Sequence, residues 1–334
     1  MDENLAPDTD YDVIAFMNVW NGSGYTELTK EGQFRTKAAS AYTPTGVLEM
    51  PAVTGSEDLV VTMYKSGGTS GAESDRNYTI NYSKNRYAAL WSAYTLTEAD
   101  VLGGQSSSGN WVYNQSVFSG NYQVGVLTSK GSYPSNYVDA DLYSRGHQIP
   151  NADRTSSSTA NAQTYYLTNQ TPQLQNKFNG SIWGALETAV RGFVVTDKNN
   201  TANYNGSYAK TDVLYVITGP CYGKAGTSET PAYLTAKDDS SISPRQVPIP
   251  KYYWKVLLKV KWNESGTLIA KACAIGFWYE HVEYEKGTSF YRSDFVKSVN
   301  QIETWTGFDL FANLPSGLEE TVEANTSWET FKNF

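Results

Sequence analysis

Ser144-Arg145-Gly146-His147-Gln148-Ile149-Pro150-Asn151-Ala152-Asp153-Arg154 sets two arginines, an aspartate and one of the chain's two histidines within eleven residues. An imidazole titrating near ~6.5 suits general-base work at neutral pH. Arg145 precedes His147 by two residues, so on a strand both side chains leave the same face. A guanidinium fork beside a candidate base suits a phosphate, whose oxygens it binds in pairs. A lone histidine is otherwise most simply a hydrogen-bonded structural residue.

Working outward, the next informative stretch is Asn179-Gly180-Ser181-Ile182-Trp183-Gly184-Ala185-Leu186-Glu187-Thr188-Ala189-Val190-Arg191. Its apolar positions recur at three- and four-residue steps, which predicts a helix with Asn179 as its N-cap. Glu187 and Arg191 stand four residues apart and so share a helical face. By themselves they read as an exposed ion pair worth a few tenths of a kcal/mol. An amide oxygen is also a hard ligand, and Mg²⁺ takes few protein ligands and keeps its waters. A base, a carboxylate, an amide oxygen and arginines are together the components of metal-assisted phosphodiester hydrolysis.

The bulk composition sets limits. A chain of 334 residues, 14% aromatic and only 18% charged, favours a strand-rich globular protein over disorder or a coiled coil. Its net charge of −8 argues against a generally basic nucleic-acid coat, so a polyanion would need a local basic site. No apolar run reaches 18 residues, so no membrane span is expected. The opening Met1-Asp2-Glu3-Asn4 is acidic and polar, unlike a signal peptide. Cys221 and Cys273 sit in apolar segments, either as buried free thiols or as a disulfide.

Residues 1–50 carry no recognisable chemistry and read as an N-terminal extension or the remnant of a preceding module, with the main domain over 51–334. Leu59–Tyr64, the alternating Tyr78, Ile80 and Tyr82, and Tyr87–Tyr94 read as strands. Residues 103–140, rich in Gly, Ser, Asn and Tyr, read as a long surface loop with short strands. Val213–Pro220 and Leu268–Tyr279 read as buried strands. Lys251 to Trp262 alternates strictly, which predicts a strand with one core face and one basic outer face carrying Lys251, Lys255, Lys259 and Lys261. The C-terminus reads as helical at Phe295–Val299 and Leu318–Glu323.

Arg145-Gly146-His147, Pro150, Ala152-Asp153-Arg154, Leu167-Thr168-Asn169, Pro172-Gln173, Asn179, Trp183, Leu186-Glu187 and Arg191 together resemble the signature of the DNA/RNA non-specific endonucleases, a ββα-metal family. Tyr215–Pro220, Val247-Pro248 to Lys255, Ala274–Phe277 and Trp305–Phe308 fall in the family's order, so the resemblance covers about residues 50–325. It implies an α+β fold, with a central, mainly antiparallel sheet flanked by helices and long loops. It also implies a hydrolase that cuts DNA and RNA, depends on Mg²⁺ (or Mn²⁺ or another divalent ion) and leaves 5′-phosphates. In the implied roles, His147 is the general base and Asn179 the single direct metal ligand. Glu187 orients the ion's water shell, and Arg145 and Arg191 stabilise transition-state charge.

Three positions depart from the pattern. Ser144 stands where many members have Asp, residues 110–114 lack the arginine that members supply from that loop, and Tyr165 stands where some have Asn. The alternative is a catalytically weak nucleic-acid-binding or cell-surface module on the same fold. The Tyr/Asn/Thr-rich composition and the family's secreted bacterial members point to a secreted, periplasmic or cell-surface protein, with its export signal outside this sequence.

Overall fold

The β-branched and aromatic runs become strands, and most of them join one sheet. The structure is a computed structural model that describes residues 10–20, 23–35, 42–54, 59–107, 109–115, 117, 122–123, 137–138, 141–236 and 245–334. Strands β1 (Asp10–Trp20) and β2 (Tyr25–Arg35) form an antiparallel hairpin. The residues up to Thr43 make one compact unit with Lys261–Lys271, in which Tyr42 bridges Ile269. The second unit, Pro44–Val260 with Ala272–Phe334, holds every candidate residue.

In that unit, β3 (Leu59–Tyr64), β4 (Arg76–Ser83) and β5 (Ala88–Leu96) form a meander. Helix α1 (Glu98–Leu102) follows, opened by a capping box between Thr97 and Asp100. The short β6 (Tyr137–Val138) leads to β7 (Asp141–His147) and helix α2 (Ser158–Gln163), and then β8 (Gln170–Leu174) returns antiparallel to β7. A wide helical turn over Gln175–Trp183 runs into α3 (Gly184–Arg191). The remaining strands are β9 (Leu214–Cys221), β10 (Tyr233–Ala236), β11 (Arg245–Pro248), β12 (Tyr252–Trp262), β13 (Ile269–Glu280) and β14 (Val296–Lys297). Helices α4 (Val299–Thr306), α5 (Ser316–Glu323) and α6 (Trp328–Asn333) close the chain.

The main sheet has the order β14-β13-β12-β9-β5-β4-β3, and β6-β7-β8 form a separate small sheet. The result is an α+β architecture whose β7, β8 and α3 make a strand-strand-helix unit over the main sheet. Gln148 ties that unit down: its Nε2 donates to the Ala89 carbonyl (2.8 Å) and its Oε1 accepts from Ser92 (3.1 Å). Tyr253 on β12 donates its hydroxyl hydrogen to Thr171 Oγ1 (2.9 Å) or the Pro172 carbonyl (2.7 Å). Arg154 is the strongest strut. Only 1% exposed, it donates to the carbonyls of Asp153, Asn77 and Thr95, so the motif's second arginine serves the scaffold.

Two sequence expectations need correction, and one left open is resolved. Strand β12 has no basic outer face over Tyr252–Val260, because both of its sides are covered there, and of the four lysines only Lys261, beyond that stretch, is exposed. Lys255 and Lys259 are fully buried, Lys255 over the Trp183 ring and Lys259 donating to the carbonyls of Ala209 and Phe331. The two carbonyls satisfy the Lys259 ammonium, whereas Lys255 Nζ has no hydrogen-bond partner among the described residues and rests against the Trp183 ring, 4.9 Å from its centroid. The expected helix at Phe295–Val299 begins only at Val299, capped by Ser298, because Val296-Lys297 pair with β13 instead. Cys221 and Cys273 are both buried free thiols. Of the expected long loop at 103–140, residues 108, 116, 118–121, 124–136 and 139–140 lie outside the described residues.

Replacing Arg154 by Leu leaves three buried carbonyls short of a charged donor and is expected to cost about 3 kcal/mol or more. Urea unfolding of Arg154→Leu measures this, and a midpoint unchanged from wild type would contradict the strut.

Candidate active site

Strand β7 presents the motif in extended form, so Arg145 and His147 do share a face. Their partners on β8 are Pro172 and Gln170. Gly146 between them is required by space: a Cβ there would lie 2.2 Å from the buried Gln173 side chain. Past the strand end, buried Asn169 fixes the turn, its Oδ1 accepting from the Ile149 amide (3.0 Å) and its Nδ2 donating to the Ile149 and Thr164 carbonyls. That explains the Leu-Thr-Asn element of the sequence pattern, which holds His147 in place from behind.

His147 stands in an aromatic corner. Its ring centroid is 4.6 Å from Trp111 and 4.9 Å from Tyr165, and Arg145 lies 5.5 Å over the Trp111 ring. Its Nε2 is buried with no hydrogen-bond partner among the described residues. Burial, reinforced by the neighbouring Arg145 charge, pushes the imidazole down to about 4, so it is neutral at physiological pH. Residues 110–114, where the resemblance leads one to expect an arginine, contribute this tryptophan instead. The other histidine, His281, is structural: Nε2 accepts from the Leu174 amide (3.0 Å) and Nδ1 bonds the Pro250 carbonyl (2.9 Å).

Asn179 does not cap a helix. It lies inside the wide turn, where its carbonyl already accepts from the Gly184 amide, and α3 has no side-chain cap. The turn is kinked at Ser181 (φ −121°, ψ −108°), between Asn179 and Glu187. Such π-type turns recur at functional sites. The Asn179 Nδ2 donates to Ser144 Oγ (3.2 Å), and Ser144 in turn donates to the Gln173 carbonyl (3.2 Å). Ser144 therefore uses its hydrogen on Gln173 and its lone pair on Asn179, which leaves the amide oxygen without a protein partner among the described residues. A neutral hard oxygen of this kind fits a hydrated Mg²⁺-class cation. No group of three or more His, Cys, Asp or Glu positioned to hold a metal occurs among the described residues.

Glu187 and Arg191 lie on one face of α3, yet they are not each other's hydrogen-bond partners. Arg191 donates from NH1 to Asp153 Oδ1 (3.0 Å) and from Nε to Asn203 Oδ1 (2.7 Å). Asp153, 1% exposed, also accepts the Tyr94 hydroxyl at Oδ2 (2.9 Å). Burial raises the Glu187 carboxyl to about 7, opposed by the positive charges of Lys255 and Arg191 and abetted by Asp153. Burial lowers the Lys255 ammonium, with Glu187 and Asp153 acting against it. The site thus brings Arg145 and His147 together on β7, joins Asn179 to β7 through Ser144, and joins Arg191 to the motif through Asp153. Sequence reasoning gave no site role to Asp153 or Trp111, placed Lys255 on an outer face, and named Ser144 only as a departure from the family pattern. Asp153 was visible as a motif residue, whereas Lys255 was hidden by an alternation that reads equally as an outer face.

The comparisons with known proteins agree on one family. The family model described as DNA/RNA non-specific endonuclease matches residues 55–317. The chain belongs to the DNA/RNA non-specific endonuclease family. A nuclease of Nostoc sp. is 26% identical over 251 residues, covering 74% of this chain and 75% of that protein. Nuclease 1, mitochondrial, of Schizosaccharomyces pombe is 24% identical over 264 residues, covering 78% and 73%. A chain in the crystal structure of the EndoG/EndoGI complex superposes with a TM-score of 0.54 at 17% identity, over 72% of this chain and 85% of that one, which shows a shared fold. As a non-specific endonuclease family member, the protein is a hydrolase acting on nucleic acids.

A His147 midpoint near 4 has a direct test. The unfolded imidazole takes its proton near ~6.5, so this group costs the fold stability as pH falls from there toward about 4, and contributes no pH dependence above it. NMR titration of the ring nitrogens should give a midpoint well below that of free histidine. A midpoint at or above ~6.5 would refute the dry environment described.

Proposed function

We propose that the protein is a Mg²⁺-dependent, sugar-non-specific endonuclease that cleaves DNA and RNA to 5′-phosphate products, with catalysis carried by residues 51–334. The observation that supports this most is the orphaned Nε2 of His147. A buried ring nitrogen with no partner calls for an ordered water or a substrate oxygen, and a neutral imidazole can take a proton from that water. In this reading Nε2 of His147 accepts the proton of the attacking water. Arg145, on the same face of β7, binds a phosphate oxygen, and Arg191, held by Asp153 and Asn203, meets the charge that grows as the phosphorus becomes pentacovalent.

Asn179 Oδ1 holds the cation, and Glu187 orients water around it. When bound, the ion neutralises charge on the phosphate and the departing 3′ oxygen. The elevated carboxyl of Glu187 suits a group that would accept hydrogen bonds from the ion's waters and exchange a proton near neutrality. None of these contacts reads a base edge, which accords with cleavage of either nucleic acid at any sequence. Mn²⁺ or another divalent ion would serve the same oxygen. Among the described residues no helix is long and apolar enough to cross a membrane, and we place the protein outside the cytoplasm, as a secreted, periplasmic or cell-surface nuclease.

His147→Ala should abolish nearly all plasmid and RNA digestion in Mg²⁺ while the melting temperature stays close to wild type. Digestion at the wild-type rate would remove His147 as the base. EDTA should stop the wild-type enzyme, and end-labelling should find the phosphate on the 5′ side of each cut.

Asp153→Asn keeps the shape but takes away the charge that holds Arg191. It should lower kcat by roughly tenfold or more with a smaller change in KM. Unchanged turnover would mean that Arg191 acts without this support.

A further inference from the structure

The geometry points to Trp111 as a positioning residue for His147: its indole, backed by Tyr165, sets the orientation of the imidazole and keeps bulk water off it. This rests on the reading of His147 as the base.

Catalytic histidines are ordinarily oriented by a hydrogen bond from one ring nitrogen to a carboxylate or carbonyl. Among the described residues nothing of that kind reaches His147, and its Nε2 is buried without a partner. The ring is instead boxed by two aromatic faces. Trp111 meets it at 4.6 Å with planes tilted 47°, and Tyr165 meets it edge-on at 4.9 Å and 89°. The two aromatic rings also touch each other, at 5.3 Å and 69°, so they form one continuous corner. Rotation of the imidazole about its stem would drive it into one wall or the other. Arg145, the charged group packed at this corner, lies over the indole at 5.5 Å.

The corner is itself anchored. Val112 donates its amide to the Tyr165 carbonyl (3.1 Å), and Leu167 donates to the Val112 carbonyl (3.0 Å). Asn114 accepts no slack: its amide donates to Gln123 Oε1 (2.9 Å) and its Nδ2 to Thr168 Oγ1 (3.4 Å). The Tyr165 hydroxyl bonds Ser107. Trp111 is thus held by main-chain pairing to the segment that carries Tyr165, and the distance between the two walls is fixed. Both walls stand at positions where this chain departs from the family pattern.

The test compares Trp111→Ala with the conservative Trp111→Phe in the full chain, reading the His147 titration by NMR and kcat and KM for plasmid cleavage in Mg²⁺. For Trp111→Ala the imidazole midpoint should rise from about 4 toward ~6.5 as water enters. Its kcat should fall roughly 10- to 100-fold, with KM close to wild type, because a base misplaced by about 1 Å loses on that order. Trp111→Phe should restore most of both. If the Ala variant does not fold, Trp111→Gln takes the same measurements, since it keeps bulk without an aromatic face.

A raised KM with unchanged kcat and an unmoved midpoint would overturn the proposal and make Trp111 a nucleobase contact. A moved midpoint with unchanged kcat would overturn its catalytic half. In that case, His147→Ala retaining cleavage would place the failure with the base assignment, and His147→Ala losing cleavage would place it with Trp111.

Discussion

Asp153 and Arg191 face each other across 3.0 Å in the protein interior, and the site depends on that pair. Asp153 lies next to last in the motif that begins on β7, and Arg191 ends the helix α3. Breaking such a pair by removing one partner strands a buried charge at a cost of about 3–5 kcal/mol. Tyr94 bonds the aspartate, and Asn203 and Thr188 accept from the guanidinium, which is what makes the burial tolerable. Through this joint the strand bearing His147 and the helix bearing Glu187 are parts of one rigid frame. A second tie, Asn179 to Ser144, links the wide turn to the same strand.

The frame also separates the electrostatic fates of its titratable groups. His147 is desolvated beside a like-charged arginine, and both effects push it toward neutrality. Glu187 is desolvated too, but Lys255 and Arg191 work against the burial, so its carboxyl comes to rest near 7 instead of higher. At physiological pH the imidazole is neutral, and the carboxyl titrates near it. Environments that drive titratable groups apart in this way are how a site divides acid and base roles between them. Lys255 matters here although it lies on the main sheet, buried beneath Trp183 and unable to reach a phosphate.

Much of this was legible in the residues. The β-branched runs gave the strands, and the spacing of Arg145 and His147 gave their common face because a strand's period leaves little choice. Glu187 and Arg191 fell on one helical face for the same reason. What the sequence hid was long-range pairing. Four-residue spacing offers Arg191 to Glu187, whereas its hydrogen bonds go to Asp153 and Asn203, one of them thirty-eight residues away. Asn179 looks like a cap because Asn caps helices, but the chain is already helical before it, so no open amides await capping. The lysines of β12 alternate as a surface would, and only the layers on both sides of the sheet reveal that Lys255 and Lys259 are inside. Trp111 showed only as part of a loop lacking an expected arginine, since its own value comes from a ring thirty-six residues later in the chain.

The central claim is that Ser144 turns the Asn179 amide so that its oxygen, as a lone protein ligand, faces a hydrated divalent ion near the base. A high-resolution crystal structure with Mn²⁺, an anomalous stand-in for Mg²⁺, tests it most directly. The account predicts one ion, about 2.1 Å from Asn179 Oδ1, with water in its other positions. An ion bound by two or more carboxylates, or one with Asn179 outside its coordination sphere, would contradict it.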